Sequence, residues 1–197
     1  MTLLKSLEKL KTGDNAPDFN LKGIDGKTYS LAEFKDAKAL LIIFMCNHCP
    51  YVTGSDELTR KVAEKFQKEV EFVAINSNSK NTYEEDSYEN MVLRMEEFNF
   101  PWLYLYDESQ KVAQEYGALK TPHFFLFDAS WKLLYTGRNT DNPRETTRRS
   151  TNDLHDALQE AMDGIEISVP VTNPIGCNIK WDGKPAHWMP AEACDLV

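Results

Sequence analysis

The run Ala39-Leu40-Leu41-Ile42-Ile43-Phe44-Met45 carries no polar side chain and ends abruptly in Cys46-Asn47-His48-Cys49-Pro50. A short uninterrupted apolar run of this kind reads as a strand buried on both faces, which needs a covering layer on each side. A helical pattern begins at Pro50, so two thiols spaced as Cys-x-x-Cys fall at a strand-to-helix junction. That placement suits redox chemistry. A helix start offers unpaired N–H groups and the positive end of the dipole, and both favour thiolate over thiol. Inert structural cysteines, or half of a zinc site, are the other readings of the same residues.

The flanking segments alternate strand and helix. Ser55–Lys68 places Leu58, Val62, Ala63 and Phe66 on one helical face. Val70–Asn76 is a second core strand, stopped by the polar run Ser77-Asn78-Ser79-Lys80. Ser87–Phe98 is a helix with Met91, Met95 and Phe98 inward, and Trp102–Tyr106 is a third strand after Pro101. Ser109–Tyr116 is a short helix ended by Gly117. His123–Asp128 and Trp131–Tyr135 form a hairpin, and Thr151–Met162 is the last helix, stopped by Gly164. Ahead of the first core strand, Asp25-Gly26-Lys27 is a tight turn, and Ser30 caps a helical turn through Phe34. Residues 1–12 form a short amphipathic helix or an arm. The pattern is α/β with a central mixed sheet flanked by helices.

Beyond Gly164 the composition changes, and Val169–Pro190 is rich in proline and tryptophan. We expect a domain over 13–163 and an extended C-terminal arm over 164–197 that packs its aromatics onto it. With 197 residues and only four cysteines, the chain needs no disulfide scaffold. It shows neither a secretory signal nor an apolar run long enough to span a membrane. These features predict a cytoplasmic setting, where thiols rest reduced. A formal charge of −9, with no cluster of Lys or Arg, argues against nucleic acid as the main partner.

Together the pieces resemble the thioredoxin superfamily, and within it the peroxiredoxin-like branch grouped with alkyl hydroperoxide reductase and thiol-specific antioxidant proteins. Gly13-Asp14-Asn15-Ala16-Pro17-Asp18-Phe19 with Asp25-Gly26-Lys27 looks like that branch's N-terminal hairpin. The thiol junction and Thr121-Pro122 look like its two active-site segments. The resemblance implies a cis bond before Pro122, which sets the Thr121 backbone beside the cysteines where an extended substrate can pair. The tail Gly176-Cys177-Asn178-Ile179-Lys180-Trp181 is similar to one often carried by this branch.

The family spacing from the last strand aromatic, Phe44, and the spacing on to Val70 both place Cys49 at the nucleophile position. The second thioredoxin cysteine would then fall at Val52, which has no thiol. The peroxiredoxin pattern Pro-x-x-x-Thr-x-x-Cys fits neither register: ahead of Cys49 its slots hold Ile42 and Cys46, and ahead of Cys46 they hold Ala39 and Ile43. The buried acid of many thioredoxins is replaced by Ile43. The peroxiredoxin arginine before the later strand is missing, and Arg138 is the nearest substitute.

Cys49 is therefore expected to attack, with Cys46 or Cys177 resolving. Thr121 and Pro122 shape the substrate groove, and His48 and Arg138 are candidates for electrostatic support. Cys194 reads as a frayed terminal residue. No cofactor is called for. Cys46, His48, Cys49 and Cys177, or His123, would supply zinc ligands, but the usual second Cys-x-x-Cys or His-x-x-x-His pair is missing, so no metal is expected. The expected function is thiol–disulfide exchange with protein or small-molecule thiols and disulfides. A thiol peroxidase with an atypical pocket and a non-catalytic zinc- or thiol-binding module are the alternatives. The substrate, the electron donor and the oligomeric state are left open.

Overall fold

A computed structural model describes residues 10–189. Most of the helix or arm expected over 1–12, and Cys194, lie outside that range. The central sheet has seven strands in the order β2-β1-β5-β4-β3-β7-β8. These are β1 Leu21–Gly23, β2 Thr28–Tyr29, β3 Ala39–Phe44, β4 Val70–Asn76, β5 Leu103–Tyr106, β7 His123–Asp128 and β8 Leu133–Gly137. β3, β4 and β5 run parallel, while β1, β7 and β8 pair antiparallel with their neighbours. The sheet is mixed, as the alternation of elements implies. Among the described residues no helix is long and apolar enough to cross a membrane.

The continuous apolar runs are explained by two cores. Leu41, Ile43 and Met45 face one side, which they share with Cys46, Cys49, Val62, Phe66, Met91, Leu154 and Leu158. That side is covered by α2 (Asp56–Phe66), α3 (Tyr88–Phe98) and α5 (Asp153–Met162). Leu40, Ile42 and Phe44 face the other side, against Tyr116, Phe125, Phe127, Ile179 and Trp181. There the cover is α4 (Lys111–Tyr116), the turn Leu31–Phe34 and part of the C-terminal arm. A strand enclosed in this way tolerates no polar position, whichever way its side chains point.

Local signals hold at most junctions. Gly26 has φ +82 in the β1–β2 turn, where Asp25 Oδ1 accepts the Lys27 N–H at 3.1 Å. Before the turn Leu31–Phe34, the Glu33 carboxylate accepts from both the Ser30 N–H and its hydroxyl, each at 2.6 Å. Two helix faces differ from the expected pattern. Thr59 is buried on α2 while Leu58 is only half-buried. Phe98, expected inward, is 43% exposed, and Arg94 is buried on that helix instead. Arg94 holds the Asp56 carboxylate of α2 and stacks on Phe100, so an ion pair occupies space that an apolar reading assigns to Phe98.

Candidate active site

The thiols sit where β3 ends. Met45 still donates its N–H to the Ile75 carbonyl at 3.0 Å, and the chain then leaves the sheet at Cys46. Cys49 stands immediately before the short helix α1 (Pro50–Thr53), in extended conformation, and its carbonyl accepts the Val52 and Thr53 N–H groups at 2.9 and 3.0 Å. Pro50, at the first helical position, has no N–H to leave unpaired.

Thr121 faces this junction. It ends β6 (Lys120–Thr121), and its bond to Pro122 is cis. The Cys49 thiol donates to the Thr121 carbonyl at 3.2 Å, and Cys46 Sγ lies 3.4 Å from Thr121 Oγ1. The arm approaches from the other side as β9 (Cys177–Asn178), antiparallel to β6, with Cys177 opposite Thr121. Gly176 is required here, since a Cβ at that position would lie 2.0 Å from the Thr121 carbonyl oxygen. One residue thus gathers the three thiols.

The three thiols do not ionise alike. Hydrogen bonds from the Cys177 thiol first, then the Cys46 thiol, hold Cys49 well below the ordinary cysteine value, with help from the Cys177 and Val52 N–H groups and against the effect of burial. Cys46 is pushed up, chiefly by burial and then by Cys49. Cys177 is pushed up chiefly by its hydrogen bond to Cys49. A Cys49 thiolate loses its donation to Thr121 but gains several donors, so the negative charge settles there and opposes a second ionisation. Ultraviolet thiolate absorbance of the reduced protein should therefore persist below about pH 7, where a free thiol of pKa ~8.5 is mostly protonated. A signal that vanishes near the free value would refute this charge distribution.

Sequence reasoning missed the polar residues behind the site. Asp86 is fully buried. Its carboxylate accepts the Asn47 N–H at 2.8 Å and the Asn78 amide at 2.7 Å, and it lies 2.7 Å from His48 Nδ1. His48 stacks on Tyr83, with ring centres 4.3 Å apart. Its pKa is raised, first by Asp86 against desolvation and then by the Cys49 charge, so the imidazolium is favoured beside the thiols. Lys180 is only 4% exposed. Its positive charge counters the rise at Cys177, and its N–H donates to Asn78 Oδ1 at 2.9 Å. The acidic run Glu84-Glu85-Asp86 and the polar run Ser77-Asn78-Ser79 look solvated in sequence, and no periodicity marks them as buried. Lys180 was visible inside the tail motif, though not its role. Arg138 is bound to Asp153 of α5 through Nε at 2.8 Å.

Cys46, His48 and Asp86 bring a thiol, a ring nitrogen and a carboxylate oxygen within 4.8 Å of one another, a set that could hold a metal ion. The Asp86 oxygens already accept from Asn47 and Asn78, so binding would disturb that network. His123 is buried on β7 with Nε2 3.0 Å from Thr136 Oγ1, outside this set.

Two solved structures are similar in fold over most of the chain. A hypothetical protein from Sinorhizobium meliloti 1021 superposes with a TM-score of 0.84 at 35% identity, over 90% of this chain and 98% of that one. An uncharacterized conserved protein from Geobacillus kaustophilus gives 0.80 at 37% identity, over 88% and 94%. Among curated proteins, the chain is 28% identical over 110 residues to a chloroplastic peroxiredoxin Q from Populus jackii. That match covers 55% of this chain and 48% of the relative, so the chain spans about half the length of the curated relatives it matches. The Redoxin profile matches residues 11–154. With a central mixed sheet of the thioredoxin type and a match over most of its length, the chain belongs to the Redoxin family.

Proposed function

We propose that the chain is a thiol–disulfide oxidoreductase of the peroxiredoxin-like type, in which Cys49 attacks and Cys177 resolves. The catalytic body is assigned to residues 13–163 and the arm to 164–197, in a cytoplasmic setting. The observation that carries the reading is the convergence of three thiols on Thr121, with Cys49 favoured as the thiolate. Redoxin membership and the likeness to a protein named peroxiredoxin Q support it.

The Cys49 thiolate attacks one sulfur of a substrate disulfide. A bond forms between that sulfur and Cys49, the substrate S–S bond breaks, and the departing thiolate takes a proton from water. Cys177 then loses its proton and attacks Cys49 Sγ, expelling the second substrate thiolate. The protein is left with a Cys49–Cys177 disulfide, and two electrons have passed to the substrate. An external dithiol returns them. A hydroperoxide would instead leave as the alcohol, and Cys177 would condense with a Cys49 sulfenic acid to release water. Cys46 holds a hydrogen bond to the thiolate and stays protonated by burial.

Mild oxidation followed by alkylation and peptide mass spectrometry tests the assignment. The expected product links Cys49 to Cys177, and a Cys46–Cys49 product would transfer the resolving role to Cys46. Turnover of hydrogen peroxide and of hydroxyethyl disulfide, each coupled to a dithiol, separates peroxidase from exchange activity. The rival reading, a zinc-holding module, is favoured by the cluster of Cys46, His48 and Asp86. Stoichiometric zinc in protein purified without chelator, together with no turnover, would select it.

A further inference from the structure

Extended polypeptides bind beside a strand by adding backbone hydrogen bonds to a free edge. Here the edge next to Cys49 is filled by the chain itself, since Lys120 and Thr121 pair with Asn178 and Cys177. Gly176 presses so closely on the Thr121 carbonyl that even a Cβ would not fit between them. The arm is fastened on both sides of this contact. Upstream, the Thr172 N–H donates to the Thr136 carbonyl at 2.9 Å, and the Thr172 hydroxyl accepts the Arg138 N–H at 3.0 Å. Downstream, the Ile179 N–H donates to the Leu119 carbonyl at 3.0 Å. The Lys180 carbonyl accepts from the Ser79 N–H and from Gln110 Nε2, each at 2.8 Å. Trp181 is buried, as are Cys46 and Cys49, while Cys177 is partly exposed.

We infer that the arm, by occupying the strand position along Lys120–Thr121, restricts this thiol site to low-molecular-weight disulfides and hydroperoxides and excludes polypeptide disulfides. The inference rests on the oxidoreductase reading and deepens it by naming the substrate class. A small oxidant needs only a local opening at Cys177. A polypeptide needs the strand pair broken and the arm lifted from both anchors, and its reactivity falls with the fraction of chains so opened. Oxidation closes the site further, because a Cys49–Cys177 bond ties the arm to the edge it covers. The reducing dithiol then attacks the more exposed sulfur, Cys177. It forms a mixed disulfide there, releases the Cys49 thiolate, and is displaced as its own disulfide by its second thiol.

The test compares hydroxyethyl disulfide with the interchain disulfides of insulin, both with a dithiol reductant. The wild type should favour the small disulfide by about tenfold or more, and Gly176→Val should raise the insulin-to-small-disulfide ratio by about tenfold. Equal turnover of both substrates by the wild type, or an unchanged ratio in a folded variant, would overturn the inference and leave the oxidoreductase reading intact. Turnover of neither substrate would sink both. Should Gly176→Val not fold, Trp181→Ala loosens the downstream anchor and should shift the same ratio upward; no shift there counts against the inference. Hydrogen exchange on the wild type gives an independent readout. Amides of the paired segment Lys120–Thr121 and Cys177–Ile179 should be protected in the reduced protein, and free exchange there would also overturn it.

Discussion

Cys49→Ser should leave the protein folded and reduce thiol turnover by about a thousandfold or more, because a serine hydroxyl is not ionised at neutral pH and cannot form the mixed disulfide. The fold should survive because the new hydroxyl is smaller than the thiol and keeps an acceptor, the Thr121 carbonyl that Cys49 now reaches at 3.2 Å. The stability change should stay within about 1 kcal/mol, the net worth of an ordinary hydrogen bond. Steady-state turnover with hydroxyethyl disulfide and with hydrogen peroxide, alongside denaturant unfolding, checks both halves. Retained turnover in Cys49→Ser would move the nucleophile to another thiol. In Cys177→Ser the first half-reaction should persist and stop at a Cys49 mixed disulfide, which intact-mass measurement would detect. That contrast separates attack from resolution.

Asp86→Ala should be the most damaging substitution for stability, at about 3–5 kcal/mol, the usual cost of removing one partner from a buried charged network. The change strands the Asn47 N–H and the Asn78 amide in a site closed to water, and it deprives His48 of the carboxylate that raises its pKa. Asp86→Asn keeps the volume and one acceptor, so a smaller loss is expected. The pH dependence has a defined sign. A histidine whose pKa is raised on folding stabilises fully below its unfolded value, about 6.5, and loses that contribution as pH climbs through the raised value. The gap between wild type and Asp86→Ala should therefore be widest on the acid side of neutrality and narrow above it. Denaturant midpoints measured across this range would show it, and a gap independent of pH would mean that His48 does not contribute through its charge.

These expectations depend on residues of very different legibility. β3 was readable because burial on both faces removes every polar side chain from the run, and β4 because only its second residue, Glu71, reaches solvent while Phe72 to Ile75 stay apolar and buried. Cys46 and Cys49 stood out because two thiols at that spacing have a chemical meaning, whereas Thr121-Pro122 stood out only through the family resemblance. Asp86, Asn78 and Lys180 were not, because they are buried only relative to one another. Asn78 donates to the Asp86 carboxylate eight residues on and accepts the backbone N–H of the distant Lys180, and an acidic run such as Glu84-Glu85-Asp86 reads the same whether or not its last carboxylate turns inward. Phe98 shows the complementary difficulty. Its helical spacing points inward, but Arg94 and Asp56 form an ion pair on that face, and periodicity takes no account of pairing between helices.

The order in which the chain is synthesised gives the Gly176–Trp181 contact a further meaning. β3, the thiol pair and Thr121 leave the ribosome well before the segment that pairs with Thr121, while domains generally fold as units. A nascent chain that has reached α5 but not β9 would carry an unpaired β6 edge and Cys49 without Cys177 beside it. The site is then open to mispairing before it is complete, so translation arrested ahead of Gly176 would yield a fragment that lacks both the Cys177 thiol and the Ile179 and Trp181 side chains of the core.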